Sequence, residues 1–142
     1  SNFTQAQITA LAQFSAVPIV STQPELSPLR IDTIENGELD QAIAMDLAVM
    51  AWSPLGGGRI GDPTNAREQN VAAALSGVAA AHGVSRTAAA YSWIMAHPAR
   101  PIPIVGSQNP ARIAEAADAF KVQWTRADWY SVLVAARGVP LP

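Results

Sequence analysis

Three short stretches of this chain carry residue types suited to holding a polyanion. Gly106-Ser107 leads into Asn109-Pro110, a capping residue followed by proline at a first helical position. The opening N–H groups of a helix are unpaired and partly positive, so they attract phosphate. Arg112, close to that helix start, brings a fork of donors for phosphate or a flat face for a base. Ser53-Pro54-Leu55-Gly56-Gly57-Gly58 supplies glycines that let a backbone approach a ligand closely. Trp52, just before it, offers a face for stacking, and Asn2 and Gln23 each carry an amide able to read a carbonyl or carboxamide. Each feature alone fits a plainer role equally well: a strand-to-helix turn with an exposed arginine, a loop beside a core tryptophan, polar loop side chains.

The elements that would position them alternate along the chain. Thr4 to Gln7 has capping-box spacing and opens a helix to about Phe14, with Ile8, Leu11, Ala12 and Phe14 on one face. Pro18 ends it, and the apolar run from Val17 predicts a strand reaching about Gln23. The polar stretch Asp32 to Glu38 contains the turn signal Asn36-Gly37, and a helix follows over about 39–46. Val49 to Trp52 is continuously apolar, as in a strand covered on both faces of a parallel sheet. An alanine-rich helix runs from about Asn65 to His82 and stops at Gly83; Ser85 caps another to about His97. Pro101 to Val105 is extended, 109–120 is helical, and Thr125 opens a last helix to about Arg137. Strands alternating with helical crossovers imply an α/β fold with a parallel sheet, and the three candidate loops all follow strands, where such folds bind ligands.

Composition narrows the function. The chain has 142 residues, 49% of them apolar and 14% charged, with a net charge of −2. Lys121 is its one lysine, so no basic cluster offers itself to nucleic acid or an anionic membrane. No apolar run approaches the ~20 residues of a membrane span. There is no cysteine, which excludes disulfide and thiolate chemistry and permits a cytoplasmic location. No metal site is expected.

Taken together, four motifs resemble those of the aldo-keto reductases. Ser1-Asn2-Phe3 is similar to the end of their Gly-Val-Ser-Asn-Phe segment, and Ser21 to Pro28 to their Asn-Gln-x-Glu-x-Ser-Pro segment. Met50 to Gly58 resembles their aromatic-Ser-Pro-Leu-Gly strand and loop. Pro101 to Ser107, with Asn109 and Arg112-Ile113, resembles their final strand and phosphate loop. The order is right and the match covers essentially the whole chain, nearest to the monomeric bacterial oxidoreductases.

The resemblance implies the C-terminal half of a (β/α)8 TIM barrel over residues 1–142, binding NADP(H), with NAD(H) as the alternative. It implies that Ser1, Asn2 and Gln23 hold the nicotinamide carboxamide and that Trp52 stacks on the ring, where many members use tyrosine. Ser53, Leu55 and Gly57 would line the pyrophosphate; Gly106, Ser107 and Arg112 the adenosine 2′-phosphate side; Glu115 the adenine. Gly106 replaces a common lysine or arginine and Ala116 a common asparagine, so one cationic contact to a 2′-phosphate is absent. The family's Asp, Tyr, Lys, His tetrad precedes the Ser-Asn-Phe motif, so no catalytic residue is expected here. Tyr91, Trp93, Trp124 and Trp129 are read as packing residues, and His82 and His97 as helix-end residues. The expected partners are a small carbonyl substrate and an N-terminal half-barrel or second copy of the chain. The competing expectation is a non-catalytic nucleotide-binding or oligomerising half-barrel.

Overall fold

A computed structural model describes residues 1–141; Pro142, the last residue of the predicted domain, lies outside the described residues. Three parallel strands, β1 (Ser21–Thr22), β2 (Ala48–Ala51) and β3 (Ile102–Pro103), form one sheet in the order β1-β2-β3. Seven helices accompany them: α1 (Gln5–Phe14), α2 (Asp32–Glu35), α3 (Glu38–Ala44), α4 (Ala66–His82), α5 (Arg86–Met95), α6 (Pro110–Ala116) and α7 (Arg126–Arg137). Ser21 pairs with Ala48 and Thr22 with Val49; Met50 pairs with Ile102 and Ala51 with Pro103. Helical crossovers join the strands, so each strand ends on the same rim of the sheet. The architecture is an arc of a (β/α) barrel. Among the described residues no helix is long and apolar enough to cross a membrane.

Local chemistry sets most helix ends. Thr4 accepts from the Gln7 N–H and Gln7 returns a bond to the Thr4 N–H, closing the predicted capping box. Asn65, Ser85, Asn109 and Thr125 cap α4, α5, α6 and α7 through their side chains. Gly83 and Gly138 end α4 and α7 in the left-handed conformation. The core gathers Leu26, Leu39, Val49, Ile60, Val71, Leu75, Trp93, Ile94 and Val132, joining the inner faces of α3, α4, α5 and α7 to β2.

Four expectations need correction. The strand predicted from Val17 begins only at Ser21, and Val17 and Val20 are exposed; apolar character without a neighbouring strand on that side does not make a ladder. On α1 only Ile8 of the predicted face is buried, while Leu11 and Phe14 face outward. The stretch before Asn36-Gly37 holds the short helix α2, and Gly37, at φ +87°, turns the chain from α2 into α3. The helix from Pro110 ends at Ala116 and tightens into a 3-10 turn over Ala117–Lys121.

Candidate functional site

Loops leaving β2 and β3 meet at a cavity of about 600 Å³. Seven of the expected residues line it: Ser53, Leu55 and Gly57 from the first loop, Gly106 and Ser107 from the second, and Arg112 and Glu115 from α6. The first loop folds into consecutive tight turns, with Gly56, Gly57 and Gly58 all at positive φ and Ser53 at φ +51°. Gly56 is also crowded, since a Cβ there would stand 3.0 Å from Leu29 Cδ1. At Gly57, Gly58 and Gly106 a Cβ would meet nothing within 4 Å, so their backbone faces open space.

The helix-terminus argument weakens on inspection. With seven residues α6 carries little dipole, and the Ala111 N–H is already taken by Asn109 Oδ1 at 2.9 Å. Ser107 Oγ is likewise engaged, accepting from the Asn109 N–H at 3.1 Å. The cationic recognition at this end falls to Arg112, which is exposed and in no ion pair among the described residues.

The other four expected residues form a second cluster, which does not line that cavity. Trp52 donates its indole N–H to Asn2 Oδ1 at 2.9 Å, and the same oxygen accepts from the Glu25 N–H at 3.3 Å. The Gln23 carbonyl accepts from the Asn2 N–H at 3.1 Å and from Ser1 Oγ at 2.9 Å. Asn2 holds a left-handed backbone, φ +57°, which its short polar side chain tolerates. Trp52 and Ser53 are consecutive, so the chain passes directly from this cluster into the cavity wall.

A buried carboxylate anchors the far end of the glycine loop. Glu68 accepts from the Thr64 N–H at 2.8 Å and the Thr64 hydroxyl at 2.9 Å, and meets Arg59 at 3.4 Å. The Thr64 N–H bond leads the contacts that hold its pKa below the ordinary 4.5, against the opposing effect of burial. A depressed folded pKa contributes stability above the unfolded value and loses it as pH falls through the folded one. We therefore expect Glu68→Gln to flatten the loss of thermal stability seen on acidification below about pH 4.5. A melting-temperature profile with the same acid slope in both proteins would contradict this.

Four cavity residues escaped the sequence reading. Asp62, Thr87, Tyr91 and Ile104 complete the wall, and Thr87 and Tyr91 come from α5, which no motif marks. Tyr91 is buried, and its hydroxyl pKa is raised, first by that burial and second by the Glu115 carboxylate. The useful signal was the phenol itself: in an alanine-rich helix it is the side chain whose polar tip needs a partner.

Comparison with known proteins agrees with this architecture. Residues 1–133 match the model of the aldo/keto reductase family. A 6-dehydroglucose reductase of Novosphingobium aromaticivorans is 64% identical over 142 residues, all of this chain and 47% of that protein. One of the same name from Agrobacterium fabrum is 36% identical across 97% of the chain and 46% of its own length. The oxidoreductase YdhF of Escherichia coli is 32% identical across 100% and 47%. The chain thus spans about half the length of the curated relatives it matches. Among solved structures, the thermostable aldo-keto reductase Tm1743, in complex with the inhibitor epalrestat, superimposes with a TM-score of 0.82 at 18% identity, covering 94% of this chain and 46% of that one. Aldose reductase from Giardia lamblia gives 0.78 at 20% identity, covering 99% and 45%. At those identities the structures speak to the fold alone, whereas the match over residues 1–133 carries the assignment: this chain belongs to the aldo/keto reductase family.

Proposed function

We propose that this chain is the cofactor-holding C-terminal half of a carbonyl reductase barrel. The observation that carries the reading is convergence: seven residues from two separate loops and α6 line one cavity of about 600 Å³. The cavity wall fits a dinucleotide. Glycine backbone faces open space at Gly57, Gly58 and Gly106, and Arg112 is free of any ion pair among the described residues. Ser53, Leu55 and Gly57 would hold the pyrophosphate, and Ser107 and Arg112 the adenosine phosphate side. Asn2 and Gln23, with Ser1 steadying Gln23, would take the carboxamide, and Trp52 the nicotinamide ring.

A bound reduced nicotinamide supplies a hydride to a carbonyl carbon. This chain's part is placement. The Trp52–Asn2 hydrogen bond fixes the indole plane, so one face of a stacked ring is covered and the other left toward substrate. Tyr91, Tyr130, His82 and His97 make no hydrogen bond to that cluster among the described residues, so the proton donor is assigned to the portion of the relatives that this chain does not span. The printed name of the 64% identical relative favours a carbonyl compound of the 6-dehydroglucose kind as substrate. A cytoplasmic location accords with the cysteine-free composition.

The outward edges of β1 and β3 have no strand beside them, and Phe3, Val20 and Ile102 are exposed nearby. An N-terminal half-barrel would pair those edges and cover that surface. The test mixes this chain with an aldehyde and NADPH or NADH, alone and with the complementary half. Turnover is expected only from the combination. Turnover by the chain alone would place the acid among these residues and overturn the division of labour.

A further inference from the structure

Tyr91 is only 4% exposed, and its hydroxyl makes no hydrogen bond to any described residue. Nor is that oxygen among the fully enclosed unpartnered atoms, so it keeps an opening. A phenol hydroxyl held inside a fold normally finds a partner, because leaving it unpaired costs about 1–3 kcal/mol. Tyr91 borders two recesses: the cavity shared with Ser107 and Glu115, and an apolar groove under β3. Glu115 lines only the first, and its charge acts on the Tyr91 hydroxyl, so the phenol tip faces that carboxylate. This end of the cavity therefore joins an O–H group, able to donate or accept, to a carboxylate that only accepts.

The charge balance points the same way. Asp62 and Glu115 line the cavity against one guanidinium, Arg112. Arg112 is exposed, where water and salt screen it, while Glu115 is half-buried and acts at shorter effective range. Glu115 is in no ion pair among the described residues, so its charge is not cancelled at contact distance. Gly106 adds no cation. In dinucleotide sites a carboxylate accepts from a free ribose 2′-hydroxyl, whereas an arginine accommodates a 2′-phosphate.

We infer that Tyr91 and Glu115 receive the hydroxyls of an unphosphorylated adenosine ribose, so that this cavity prefers NAD(H) to NADP(H). The inference rests on the dinucleotide reading above. A free ribose offers donors to Glu115 and either role to Tyr91; a 2′-phosphate would set its negative charge against Glu115 and Asp62.

Calorimetric titration of NADH and NADPH into the full-length polypeptide carrying this chain tests it without relying on turnover. NADH should bind about tenfold or more tightly than NADPH. Glu115→Gln should bring the two toward parity, chiefly by strengthening NADPH. Tyr91→Phe, which preserves the packed ring, should weaken NADH severalfold and leave NADPH unchanged. NADPH binding as tightly as NADH or tighter would overturn this inference and leave the dinucleotide reading standing. So would a preference for NADH that neither variant moves, because discrimination would then lie elsewhere. Binding of neither dinucleotide would overturn both.

Discussion

Trp93→Ala is expected to lower the stability of the folded polypeptide by about 3–5 kcal/mol, the range for emptying a buried indole site. Trp93 is fully buried in the core. Its ring stacks on Trp129 with centroids 5.0 Å apart and planes 12° from parallel. The two indoles also exchange hydrogen bonds: Trp93 Nε1 donates to the Trp129 carbonyl at 3.0 Å, and Trp129 Nε1 to the Trp93 carbonyl at 3.0 Å. These clasp α5 to α7. Truncation opens a large hole, forfeits the stacking and leaves the Trp129 carbonyl short of a donor. Such a loss is a large share of a typical domain's net stability, and a thermal melt should fall by roughly 10–15 °C. Trp93→Phe retains a ring but not the N–H and should fall between. A loss under about 1 kcal/mol on Trp93→Ala would mean that the clasp is not holding the two helices together.

The second large effect concerns binding. If Trp52 covers the nicotinamide ring, Trp52→Ala removes stacking worth about 1–3 kcal/mol, or roughly 10–100-fold in the dinucleotide dissociation constant. It also releases Asn2, whose side-chain oxygen is shared between the indole N–H and the Glu25 N–H. Trp52→Phe separates these contributions, keeping an aromatic face while breaking the bond to Asn2, and should lose less than the alanine variant. Fluorescence titration of the full-length polypeptide reads both. Unchanged affinity in Trp52→Ala would remove this residue from the binding surface. A loss of melting temperature matching that of Trp93→Ala would instead make Trp52 a structural residue.

What the sequence disclosed was mostly local. Asn65, Ser85, Asn109 and Thr125 announce helix starts because a cap bonds to backbone within three residues of itself. Gly83 announces a helix end because the left-handed turn there suits a residue without a side chain. The span of β1 was overestimated because Val17 to Val20 has strand composition, while pairing depends on what lies alongside. The brief α2 was missed because four residues carry too little periodicity to see. The loops after β2 and β3 were legible through the motif resemblance, which names positions in a known rim. Tyr91 and Thr87 were not, because they reach the cavity from a crossover helix. Only tertiary packing decides which turn of α5 faces it.

One consequence follows from the sheet order. β2 is the strand with a neighbour on each flank, while β1 and β3 each present a row of amide hydrogens to whatever comes beside them. In isotopic-exchange terms, β2 belongs to the slow class, whose deuteration waits on cooperative opening, and the two rims belong to the fast class. Slowing at Ser21 and Ile102 would thus act as a clock for ring closure, recording when the flanking strands have annealed, whether or not any ligand is present.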